Sequence, residues 1–152
     1  MESLNIFFLS ILMVLLSCNE EVPSIDFQDD PSITSIEGNW KLIQIFDADG
    51  EIITKTEDNS WGYDVAFTID DNGDPFEIYG KNTTNQIFGG FDYLEGRAVQ
   101  VYAIGTTYVN QPEWGNKFSK VFYSAKLTYS VNSDWLRLRN EEEGMEILLE
   151  RY

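Results

Sequence analysis

The sequence predicts a mainly β domain, an antiparallel barrel or roll of about eight short strands with one amphipathic helix. Three observations carry that expectation. Apolar and polar residues alternate through most of the chain from residue 36 onward. Asp-Gly, Asn-Gly and Glu-Gly pairs punctuate the alternation at short intervals. One stretch, residues 112–125, switches to helical period.

The first strand opens at Trp40. Trp40, Leu42 and Gln44 alternate with Lys41, Ile43 and Ile45, and Phe46 follows, so both faces of this strand are expected to be covered. Asp49-Gly50 is a hairpin signal, with residues 51–54 as the return strand. Val65, Phe67 and Ile69 alternate with Ala66, Thr68 and Asp70 before Asp71-Asn72-Gly73-Asp74 turns the chain into residues 76–79. Residues 88–93 and 97–104 pair around Glu95-Gly96. Leu127, Tyr129 and Val131, then residues 135–139, then Met145, Ile147 and Leu149 form a terminal meander whose last turn is Glu141-Glu142-Glu143-Gly144. In the helix, Asn110 is the expected cap and Pro112 falls in the first turn. Trp114, Phe118, Val121, Phe122 and Ala125 lie on one face, which suits a helix plugging a barrel end or covering a sheet. Gly115 weakens this helix by about 1 kcal/mol.

Composition narrows function. Acidic residues outnumber basic ones 26 to 10, a net charge of −16, which repels nucleic-acid phosphates. There is no histidine, so Ser-His-Asp and Cys-His catalysis and His-ligated zinc are excluded. The sole cysteine, Cys18, permits no internal disulfide and no cysteine metal cluster. No cofactor is expected.

The N-terminus carries its own message. Residues 6–16 form an apolar run of eleven, short of the roughly 20 that span a bilayer but within the 7–15 or so of a signal peptide. Leu15-Leu16-Ser17-Cys18 follows and resembles the lipobox of bacterial lipoproteins, in which the cysteine is lipidated and becomes the new N-terminus. The competing reading is a buried helix with an ordinary cysteine. Residues 1–17 are thus read as a signal peptide, Cys18 as the lipidation site and residues 18–35 as an acidic tether. The pair Glu20-Glu21 is similar to the surface-export signals of some Bacteroidetes lipoproteins. The expected location is the cell envelope, on the outer membrane, with periplasmic and surface faces both open.

Within residues 36–152, Gly38-Asn39-Trp40-Lys41-Leu42 opens the domain. Tyr79-Gly80-Lys81-Asn82-Thr83-Thr84-Asn85, Gly89-Gly90-Phe91-Asp92-Tyr93 and Thr106-Thr107 precede the helix, and Leu127 to Val131, Leu136-Arg137-Leu138 and Ile147 to Arg151 close it. This order resembles the META domain, the family of the heat-inducible envelope protein HslJ. The resemblance implies a lipocalin-like barrel with one helix and no established active site.

Asn82, Thr83, Thr84 and Asn85, with Gly80, Gly89 and Gly90 nearby, form a candidate ligand loop; the competing reading is a turn that needs positive φ. Asp70, Asp71, Asn72 and Asp74 invite a calcium reading, against which stands a hairpin turn. Trp61, Tyr63, Tyr102, Tyr108 and Trp114 are candidates for a stacking face for sugars or aromatic ligands, or else packing residues. Glu141 to Glu143 read as a paired-carboxylate site or a solvated turn. The function expected is a non-catalytic, lipid-anchored envelope module, held to the membrane through Cys18 and engaging an unknown envelope protein or ligand. The alternatives are a lipocalin-like carrier of a small ligand and a carboxylate-based envelope hydrolase using Asp71, Asp74 and Glu113.

Overall fold

A computed structural model describes residues 25–107, 109–123 and 126–152. The signal segment, Cys18, the first part of the tether, Tyr108 and Ala125 lie outside the described residues.

Nine strands and two helices are described: β1 (Gly38–Phe46), β2 (Ile52–Thr54), α1 (Glu57–Ser60), β3 (Val65–Asp70), β4 (Phe76–Asn82), β5 (Asn85–Leu94), β6 (Ala98–Thr106), α2 (Glu113–Phe122), β7 (Lys126–Val131), β8 (Trp135–Asn140) and β9 (Met145–Arg151). Every pairing is antiparallel. β1 and β3 to β9 follow one another around the sheet, and β9 returns to pair with β1, closing an eight-stranded barrel. The short β2 is an extra strand against the second half of β1. The expected barrel is therefore present; β2 is the return strand expected over residues 51–54, and it lies outside the closed ring.

A bulge in β1 sets its inward face. Register shifts between Leu42 and Gln44 against β9, where Leu42 faces Leu149 and Ile45 faces Ile147. The shift flips the side-chain alternation, so Trp40 and Leu42 before it and Ile45 after it all reach the core. Gln44 is buried but stands outside the core cluster, opposite Thr54 of β2.

The interior is lined by large buried side chains. Trp40, Phe67 and Phe91 from the strands meet Trp114, Phe118 and Phe122 from α2, each at most 1% exposed. Phe122 sits 4.8 Å from both Phe67 and Phe118, ring centre to ring centre. The apolar stripe of α2 thus plugs one barrel end, as its periodicity predicts. Its start differs from expectation: Pro112 is the N-cap, with extended backbone and no side-chain cap, and Asn110 lies outside the helix. Asn110 instead offers its carbonyl to the Thr84 hydroxyl at 3.0 Å.

The short α1 was not anticipated from periodicity, because four residues are too few to show any. Its signal is local: Thr56 and Asn59 form a reciprocal capping box.

The opposite end is closed by the chain preceding β1. Asp30 N–H donates to the Val131 carbonyl at 2.9 Å, and Asp29 accepts from Val131 N–H at 2.8 Å. The Arg97 guanidinium donates to the Ile33 carbonyl, Tyr129 Oη to the Thr34 carbonyl, and Ile36 N–H to Tyr93 Oη. Ile36 is buried in the core. Residues 28–35, expected to be an extended spacer, are therefore a strap across the barrel mouth. Their acidic side chains misled the sequence reading: Asp29 is not solvated repulsion but the partner of Arg97 and of a backbone amide.

Gly115 shows why a glycine interrupts α2. A Cβ there would stand 2.5 Å from Thr83 Oγ1 and 2.8 Å from Asn82 Oδ1, both on buried residues of the β4–β5 turn. Gly115→Ala should therefore destabilise the protein by about 1–3 kcal/mol, although alanine is the better helix former by about 1 kcal/mol. Chemical denaturation checks this, and a stabilised variant would show that the helix does not seat so closely.

Candidate functional site

The candidate ligand loop is the two-residue hairpin turn between β4 and β5. Asn82 pairs with Asn85 across it, and Thr83 takes the positive φ of 51° that the turn requires. Its polar groups face the helix. Asn82 Nδ2 donates to Ser119 Oγ at 2.7 Å and to the Gly115 carbonyl at 3.2 Å. Asn85 Nδ2 donates to the Val109 carbonyl and Gln111 Oε1, and its Oδ1 accepts from Thr107 Oγ1 and Val109 N–H. Every hydrogen-bonding position of the Asn85 amide is thereby used. A cavity of about 320 Å³ opens beside Asn85, Gln111, Asn116 and Tyr123, but its amides are bonded chiefly to one another. Asn82 thus grips α2 itself, Thr84 and Asn85 pin the segment that leads into it, and Thr83 N–H donates to the Asp64 carbonyl.

The acidic turn after β3 is likewise committed. Asp70 accepts from Asn72 N–H at 2.9 Å, which keeps its carboxyl below the usual range. Asp71 accepts from Ser35 Oγ at 2.7 Å and Tyr93 Oη at 3.0 Å, tying the strap to the barrel. Among the described residues no cluster of three or more acidic side chains is arranged to hold a metal ion. At the β8–β9 turn, Asn140 Oδ1 accepts from Glu142 and Glu143 N–H, and Glu141 pairs with Arg139. Glu113 pairs with Lys117 on the plugging helix, at the barrel end opposite Asp71 and Asp74. The acids of the hydrolase reading share no common site.

A cleft of about 370 Å³ on the outer wall gathers three of the four arginines, Arg97, Arg137 and Arg139. Asp29, Glu141 and Glu146 answer them at 2.9–3.7 Å, so the cleft is close to neutral. Arg97 and Arg137 also lie over the rings of Tyr129 and Phe27. This cleft fastens the strap.

The proposed stacking residues are scattered. Trp114 is core, Trp61 and Tyr63 follow α1, with Trp61 as its C-cap, and Tyr102 stands on β6. The structure instead assembles an aromatic face around Tyr102 that the sequence reading missed. Tyr79 and Phe88 are direct cross-strand partners on the outside of β4 and β5, 49% and 55% exposed. Phe88 lies over Gly105, where a Cβ would fall 2.0 Å from its ring. Tyr102 lies over Gly90 in the same way, with a Cβ there 2.9 Å from its ring. The two glycines leave room for the rings to lean onto the sheet. Partial burial and the Asp92 and Asp74 carboxylates push the Tyr102 hydroxyl above its ordinary pKa. Glu77, Lys81, Gln86 and Asp92 border the face with hydrogen-bonding groups. The signal in the sequence was a pair of glycines, Gly90 and Gly105, inside strands that also carry outward aromatics.

No family model and no curated protein matches the sequence. Among solved structures it is similar to a Burkholderia xenovorans protein determined by NMR, with 14% identity and a TM-score of 0.62, covering 86% of this chain and 99% of that one. It is also similar to a DUF4847 family protein from Bacteroides vulgatus, at 16% identity and TM-score 0.50 over 76% of this chain and 93% of that one. A lipocalin-like protein from Bacteroides uniformis matches at 20% identity and TM-score 0.46 over 77% and 98%. At these identities the likeness is one of fold.

Burial pushes the Tyr93 hydroxyl up to about 12, with Asp71 adding to the rise. The fold favours the neutral phenol, so this stabilisation is complete below pH 10 and is lost as pH rises through about 12. Unfolding free energy should fall across that window, and less steeply in Tyr93→Phe. Equal slopes would show that the strap does not depend on this hydroxyl.

Proposed function

We propose that this chain is a non-catalytic, lipid-anchored module of the bacterial envelope, of the META type by its motif order, that binds neutral saccharides on its outer wall. The observation that carries the reading is the outward face formed by the exposed rings of Tyr79 and Phe88 with the half-buried Tyr102, the last two lying against Gly105 and Gly90. The C–H groups of a sugar ring carry partial positive charge and meet the negative faces of aromatic rings. Bordering amides and charged groups supply hydrogen bonds to hydroxyls. A net charge of −16 disfavours anionic glycans.

The anchoring part rests on the lipobox-like sequence ending at Cys18. The preference for the wall over the interior rests on packing, since the barrel holds Trp40, Phe67, Phe91 and the α2 plug where a carrier would hold its ligand.

Two measurements test this. Titration calorimetry against neutral hexose and N-acetylhexosamine oligosaccharides should detect binding that Phe88→Ala and Tyr79→Ala each weaken at least tenfold, about 1.4 kcal/mol, at little change in thermal midpoint. Unchanged affinity in both variants, or no saccharide bound, would refute the binding site. Intact mass of membrane-extracted protein should show acylation at Cys18, and Cys18→Ala should be released from the membrane; retention of that variant would refute the anchor.

A further inference from the structure

A second set of exposed apolar side chains stands where the described chain begins. Trp61, Tyr63 and Ile52 are 48%, 50% and 38% exposed. They belong to one corner, built from β2, α1 and the entry to β3. The corner is preorganised. The capping box of Thr56 and Asn59 closes α1, Asn59 Nδ2 donates to the Thr54 carbonyl at 2.8 Å, and Ser60 Oγ accepts from Gly62 N–H at 3.1 Å. Trp61 itself sits at φ 53°, a left-handed backbone that a bulky residue rarely adopts. The surroundings hold that conformation, and it presents the indole to solvent.

The corner adjoins the point where the tether arrives. Lys55 Nζ donates to the Gly62 carbonyl, between Trp61 and Tyr63, at 3.3 Å, and to Asp64 at 2.6 Å. Lys55, Asp64 and Lys41 also line, together with Ile25, an outer groove of about 360 Å³. Seven residue steps separate Ile25 from Cys18, a reach of about 25 Å at full extension. An acyl chain on Cys18 would therefore keep this corner close to the bilayer surface.

We infer that the corner carrying Ile52, Trp61 and Tyr63 rests in the headgroup layer of the membrane and fixes the orientation of the barrel on it. This rests on lipidation at Cys18. Tryptophan and tyrosine favour this layer because one edge of each ring is apolar and the other can hydrogen-bond. Lys41 and Lys55 share one carboxylate, Asp64, which leaves ammonium donors for lipid phosphates. Glu57 and Asp58 stand in the first turn of α1, so ring burial and not net charge drives the contact, and a zwitterionic surface suffices. The acyl anchor supplies the hold, and the corner supplies the second, orienting contact.

The test uses full-length protein extracted with its lipid and reconstituted into phosphatidylcholine–phosphatidylethanolamine vesicles, some with dibrominated acyl chains. Flotation reports anchoring, and quenching of tryptophan emission by bromine reports depth. Wild type should float and lose the share of emission due to one of its four tryptophans; Trp61→Phe should float and lose none. Tyr63→Trp should about double the quenched share, which keeps the test decisive if Trp61→Phe folds poorly. Floating protein with equal quenching in wild type and Trp61→Phe, or with no gain in Tyr63→Trp, would overturn the inference while sparing the anchor. Protein that does not float would remove the anchor, and the corner's role with it.

Discussion

The pairing of the first strand with the last is the constraint on which the rest depends. β1 carries three partners, β2, β3 and β9, and its bulge lets one strand serve all of them. Without the bulge, Ile45 would point outward with Gln44 in the core, and the second half of the β1–β9 seam would set an amide among apolar side chains. With it, β1 pairs with β9 along most of its length and the barrel closes. Closure then imposes its own condition: two open mouths must be covered by something other than sheet.

The protein covers them by different means. At one mouth α2 inserts Trp114, Phe118 and Phe122, and the Asn82 to Asn85 turn grips the helix and the segment before it through side-chain amides. At the other, the strap is held mainly by hydrogen bonds from Arg97, Tyr129 and the Val131 backbone, and its Ile36 N–H donates to Tyr93 Oη. Tyr93 packs edge-on against Phe76, Phe91 and Tyr129 while its hydroxyl joins Ile36 and Asp71. Apolar packing and strap binding thus meet in one side chain. Both mouths are thereby covered, and large buried side chains occupy the interior between them.

Much of this was legible in the sequence, and the failures have physical causes. Strands with alternating side chains and the α2 stripe report a local period, the Gly-containing turns report local turn chemistry, and the elements appear where these signals place them, the second half of β1 apart. The bulge, the strap and the aromatic face report no period. The strap is acidic and proline-bearing, a composition that reads as spacer until Arg97 and the Val131 backbone are known to lie beneath it. Asn82 and Asn85 looked like ligand-seeking groups because their partners, Ser119, Val109 and Gln111, are more than twenty residues away. Tyr79, Phe88 and Tyr102 become neighbours only through the registers of β4, β5 and β6, with a shift between Phe88 and Gly90 that no local pattern announces.

The charge and the exposed rings answer one another. An outer wall bearing Tyr79 and Phe88, and a corner bearing Trp61 and Tyr63, would in a neutral protein invite chains to associate face to face. At physiological salt the screening length is about 8 Å, so a net charge of −16 repels a second copy only when surfaces nearly touch. That is the separation at which aromatic faces would otherwise adhere. The same field exerts little force on an uncharged sugar or a zwitterionic lipid surface. An acidic barrel can therefore keep its rings open to neutral partners while closing them to its own kind, which gives the one-sided composition a physical role beyond solubility.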